Sequence, residues 1–166
     1  MPKTSPNLRN LEYADFDAML KDVEALIEHG YQKNGKWTLG QATGHVADWM
    51  RFPIEGFPNP PAIIRAVFWV MNVTGKTKSI ANKILTNGFK PGMATAPVTV
   101  PASDFSDREG LEKLKAAVQK VKEHEGPLHE SPLFGKMDKA THVKVSLLHA
   151  AHHFRFLEPR RRKEDT

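Results

Sequence analysis

Apolar residues recur along most of this chain at intervals of three and four, the rhythm of helices that bury one face. The first run puts Phe16, Leu20, Val23 and Ile27 on one stripe, with Asp15 placed to cap its start and Gly30 its end. A second helix opens at WTLGQ. Thr38 stands three residues before Gln41, the spacing of a capping box, and Leu39, Ala42, Val46 and Met50 form the stripe that follows. Pro53 is its expected end, and Pro58, Pro60 and Pro61 stiffen the connection beyond it. Pro61 can open a third helix, AIIRAVFWVMNV, which should break near Gly75. A further piece, KTKSIANKILTNG, ends at Gly88.

Residues 89–105 carry turn signals and no period, so they read as a long irregular connector over the surface. Ser106 and Glu109 form another capping box, opening a helix with Leu111, Leu114, Val118 and Val121 on one face and Lys and Glu on the other. Gly126 and Pro127 stop it. Asp138 caps a last helix expected to reach Glu158 and stop at Pro159. No strand pair, repeat or low-complexity segment stands out. The pattern predicts an all-α chain: a four-helix bundle with an additional short helix and a long irregular connector. It forms a single domain over 1–159, followed by a disordered basic tail over 160–166.

Composition narrows the chemistry. A chain of 166 residues is long enough for one real core. It has no cysteine, so any metal must be held by nitrogen or oxygen and any thiol must come from outside. The net charge of +5 is mild, and much of it sits in the terminal RRRKEDT. Basic residues are not interleaved with aromatics on one face, which argues against a nucleic-acid partner. No apolar run approaches the ~18 residues of a membrane span, and the first residues lack the apolar core of a signal peptide. The expectation is therefore a cytoplasmic protein with no membrane partner.

Histidine is the residue type that changes this picture. LLHAAHHFRFLEPR, residues 147–160, places three histidines within five positions. On a helix turning ~100° per residue, Val143, Leu147, Ala150, Phe154 and Leu157 make the buried stripe. His149 and His153 lie together on its shoulder, one turn apart, and His152 points to the side of Lys144 and Arg155. An i, i+4 pair is how one helix offers two nitrogens to one metal. His45, on the second helix beside Trp49, is the candidate third ligand. On spacing alone two readings stand: core histidines hydrogen-bonded to backbone, or ligands of an ion. Trp49, Phe52, Trp69 and Phe156 are candidate pocket walls, each also readable as a core aromatic. Asp48 reads as exposed, Glu55 and Glu158 as surface residues, and His29 and His124 as helix-end residues that complement the dipole.

WTLGQATGHVADWM, ILTNGFKPGMATAP, SPLFGKMDK and LLHAAHHFRFL together resemble the DinB-like (YfiT-like) four-helix-bundle proteins, in an uncharacterised branch, over nearly the whole chain. The resemblance implies a divalent metal, zinc or nickel, on one histidine of the second helix and an H-x-x-x-H pair of the last. Here those are His45, His149 and His153. It also implies a thiol-dependent transferase or isomerase that takes a low-molecular-weight thiol as cosubstrate and acts on a small-molecule substrate. Where relatives often carry Trp near the start of the last helix, this chain has His142. Its distance from His149, about 10 Å along the helix, excludes a shared metal and suggests a place at the cavity mouth. No catalytic residue beyond the metal ligands is assigned. Two alternatives differ in class: a metal-free or vestigial bundle that binds a small apolar ligand, and a homodimer or interaction module using the apolar third helix.

Overall fold

The structure, a computed structural model, describes residues 8–90, 99–100, 102 and 104–160. In chain order the elements are α1 (Phe16–His29), β1 (Tyr31–Lys33), α2 (Leu39–Glu55), α3 (Ala62–Val73), α4 (Lys76–Asn87), α5 (Asp107–Glu123), α6 (Lys139–Phe154) and β2 (Leu157–Pro159). The all-α expectation holds. The core is built from α1, α2, α5 and α6: Met19, Val23 and Leu26 meet Leu39, Val46 and Met50, Leu114, Val118 and Val121, and Leu147 and Phe154. The extra helical material is two helices, α3 and α4, which contribute nothing to that cluster.

The caps read from sequence form. Asp15 accepts from the Ala18 amide and Asp138 from the Thr141 amide. Both capping boxes close, Thr38 with Gln41 and Ser106 with Glu109. Each satisfies amides that the first helical turn leaves without partners.

Four expectations change. In α1 the deepest residues are Met19 and Leu26, whereas Leu20 and Ile27 are only partly buried. Adjacent apolar residues let the stripe rotate by one position. In α2 the helix runs through Pro53 to Glu55. A proline in the last turn forfeits one backbone bond, and the Gly56 amide still closes on the Phe52 carbonyl at 2.8 Å. A strand pair does exist: β1 and β2 run antiparallel with Gln32 opposite Glu158. It ends α6 at Phe154 rather than Glu158, because residues 157–159 extend to pair with the segment after α1. Of the predicted tail over 160–166, Arg160 is ordered, its amide donating to the Gly30 carbonyl at 3.0 Å, and residues 161–166 lie outside the described residues.

Helices α2 and α5 approach backbone to backbone. A Cβ added to Gly110 would lie 2.2 Å from Thr43 Oγ1 and 2.8 Å from Gly40 Cα. One added to Gly40 would meet the Ser106 carbonyl at 2.5 Å. Only glycine permits this spacing. Asp107, at the start of α5, accepts from the Gly40 amide at 2.7 Å and so ties the two helix beginnings together.

Candidate metal centre

The opposite flank of α2 faces α6. His45 is one turn before Trp49 on α2, and His149 and His153 are one turn apart on α6. The three imidazoles meet edge to face, with ring centroids 4.7 to 5.0 Å apart. One nitrogen from each lies within 4.8 Å of the others. Nε2 of His153 stands 3.0 Å from Nε2 of His149.

The 3.0 Å separation of His149 and His153 suits a shared ion. Two nitrogens each ~2.0–2.1 Å from one zinc-sized cation lie about 2.8–3.4 Å apart when they subtend a right or tetrahedral angle. Two imidazole nitrogens at 3.0 Å with both lone pairs free would repel. The pair therefore needs either a proton on one nitrogen or a cation between them. His45 Nδ1 lies 2.9 Å from the Thr99 carbonyl, which accepts its N–H. This bond fixes the tautomer and leaves Nε2 as the free donor atom, the arrangement by which an outer partner orients a metal-binding histidine. The donor set is three neutral nitrogens with no thiolate or carboxylate, and it fits zinc, nickel or another borderline divalent ion.

Electrostatics favour the neutral, ligating form. Burial lowers the His45 pKa to about 4, against smaller opposite effects of the Thr99 carbonyl and Asp48. Burial also lowers His153 to about 2, with His45 and His152 adding to it. His149 is pushed well below the ordinary range by burial and then by His153 and His45. Three unprotonated imidazoles are what a cation requires. His45 is 2% exposed, and His149 and His153 are half-buried.

Aromatic rings frame the cluster. Trp37 stacks on His153, with centroids 4.9 Å apart and planes 7° from parallel, and its edge meets His45. Trp49 lies 6.0 Å from His149 and packs on Phe52 and Phe57. Its indole Nε1 is buried without a hydrogen-bond partner among the described residues. Phe89, just beyond α4, covers His149 at 5.2 Å.

Sequence reasoning located the three central histidines and misjudged several neighbours. His152 stays out of the cluster but is buried, under Phe89, with Nδ1 3.3 Å from the Phe89 carbonyl. The segment just after α4 covers a flank that the periodicity of α6 alone leaves open. His142 is not at a cavity mouth. It is 2% exposed, its Nε2 is buried without a hydrogen-bond partner among the described residues, and burial lowers its pKa. Asp48 is neither free nor touching His45; it pairs with Lys113 of α5 at 2.8 Å. Glu55 is a surface residue, held at a pKa of about 2 by Arg51 and Lys120. Glu158 sits in β2, accepting from Asn34. Trp69 is exposed on α3, away from the three histidines, and Phe156 packs on Gly35 and His152.

Three contributors went unassigned: Trp37, Phe89 and the Thr99 carbonyl. The first had a signal, an aromatic immediately before the capping Thr38, where the chain enters the helix. A backbone carbonyl leaves none.

Among the described residues no helix is long and apolar enough to cross a membrane. No curated protein and no solved structure matches the chain significantly. One family does, described as "Protein of unknown function (DUF1569)", over residues 5–160. With nearly the whole length matched and the three-histidine cluster inside it, the chain belongs to this DUF1569 family.

Proposed function

We propose that the chain is a divalent-metal enzyme of the DinB-like (YfiT-like) bundle group, with zinc or nickel on His45, His149 and His153. Its substrate is a small molecule, its cosubstrate a low-molecular-weight thiol, and its reaction an S-transfer or isomerisation of stress or detoxification type in the cytoplasm. The observation that carries the reading is the meeting of three neutral imidazoles from two helices. A divalent ion held there lowers the pKa of a thiol or water drawn to it and so supplies a nucleophile near neutral pH. The chain supplies the rest. Thr99 and Trp37 hold His45 and His153 in orientation. Trp49 and Phe89 offer apolar walls to a substrate, and the unpartnered Trp49 N–H is a donor for a polar group upon it. The absence of cysteine is in keeping with a thiol that arrives as cosubstrate.

Metal content decides the first half of this reading. Protein made without a histidine tag should carry about one zinc or nickel ion per chain, and His153→Ala should lower affinity by a hundredfold or more, beyond what loss of an outer partner costs. Equal metal in both proteins would remove His153 from the site. The second half is tested by conjugation of a thiol to an apolar electrophile. Turnover should vanish on chelation and return with the ion.

A further inference from the structure

α3 is the anomaly of the molecule. Around its axis, AIIRAVFWVMNV is apolar except for the narrow sector of Arg65 and Asn72, and helices apolar nearly all round are ordinarily buried. Yet α3 has no buried residue. Ile63 is 73% exposed, Trp69 67% and Val73 68%. A shallow hollow on it is lined by Ile63, Ala66, Val67, Val70 and Met71, all apolar. Whatever covers this helix lies beyond the described residues.

Charge identifies the cover. Residues 56–103 contain Arg65, Lys76, Lys78, Lys83 and Lys90 and not one Asp or Glu. These five cations equal the whole formal net charge of +5, since the other 19 Lys and Arg match the 19 Asp and Glu of the rest. The basic tail therefore does not set the balance; the α3–α4 segment does. All five side chains are exposed, and no salt bridge to any of them occurs among the described residues. A twofold contact of α3 with a second copy would press two carboxylate-free surfaces together.

We propose that α3, with the cations around it, is a docking surface for an anionic lipid bilayer. At 12 residues, about 18 Å, the helix is too short to cross a hydrocarbon core of ~30 Å, so it lies in the interface plane. Trp69, 67% exposed on this helix, supplies the amphipathic ring that interfacial tryptophans place at headgroup depth. Lys76 and Lys78 follow at the start of α4, within reach of lipid phosphates. The proposal stands apart from the metal reading and survives its failure.

Vesicle sedimentation with the full chain tests it. The protein should pellet with vesicles of phosphatidylcholine mixed with phosphatidylglycerol, more than about tenfold better than with phosphatidylcholine alone, and salt should release it. Val67→Glu with Val70→Glu should abolish binding, while circular dichroism shows the bundle intact. Lys76→Gln with Lys78→Gln leaves α3 untouched and should weaken binding about fivefold per lysine, which keeps the test decisive if the glutamates disturb folding. Failure to pellet, equal binding to neutral vesicles, or binding unchanged in both double variants would overturn the proposal. So would sedimentation velocity showing a dimer that the glutamates split, because a second copy would then be the cover.

Discussion

The two flanks of α2 are built on opposite principles. Toward α5 the contact is backbone to backbone, with Gly40, Thr43 and Gly110 leaving no room for a single added carbon. Toward α6 the gap is filled by rings: His45 and Trp49 against His149 and His153, with Trp37 stacked at the end. The first flank fixes the helix as a rigid rail. The second spends its space on polar rings that meet without closing on one another, which stores the capacity to bind. The same helix is thus anchored by its smallest residues and carries its candidate ligand among its largest.

The anchoring flank should give the largest effect when broken. Gly110→Ala drives a methyl into Thr43 and the Gly40 backbone, so the helices must part. A loss of about 3 kcal/mol or more, the upper end for overpacking, should appear in denaturant unfolding. Adding Thr43→Ala removes the nearer obstacle and should restore part of that loss. No restoration would mean that the two helices are not held by this contact.

The ring-filled flank should fail in acid instead. An unfolded His45 takes up a proton below about 6.5, whereas the folded one stays neutral down to about 4. The unfolded state therefore binds more protons across that window. Metal-free protein should lose up to about 3 kcal/mol from this residue alone as pH falls from 6.5 to 4. Unfolding curves at stepped pH measure the slope, and His45→Asn should flatten it. A variant as acid-sensitive as the wild type would place the effect elsewhere.

Smallest is the change that touches both flanks equally. Thr38 caps the common helix, and Thr38→Ala should cost about 1 kcal/mol without altering metal content. A fall in metal content would show that the helix start, rather than its faces, governs the site.

Helix starts were legible because a cap and its partner sit three residues apart, and the bundle was legible because its stripes are long. The three ligand candidates were legible for the same reason: an i, i+4 pair and a shoulder histidine are periodic facts. The ribbon of β1 and β2 was not, since three residues are too few to show alternation. The covering of His152 by Phe89 was not, since it depends on where a chain 63 residues away returns. α3 was read correctly as apolar, but a pattern of apolar residues does not say which molecule will hide them.

His45 is oriented by a carbonyl 54 positions further along the chain, in the connector between α4 and α5. If that carbonyl withdraws, the ring is free to flip and to move its proton to the other nitrogen. On the proposed metal reading, capture of an ion and seating of Thr99 are one equilibrium seen from two ends, and by reciprocity each tightens the other. Protease resistance around residue 99 should rise with ion concentration, so a blade applied to a loop would report the filling of a pocket it never enters.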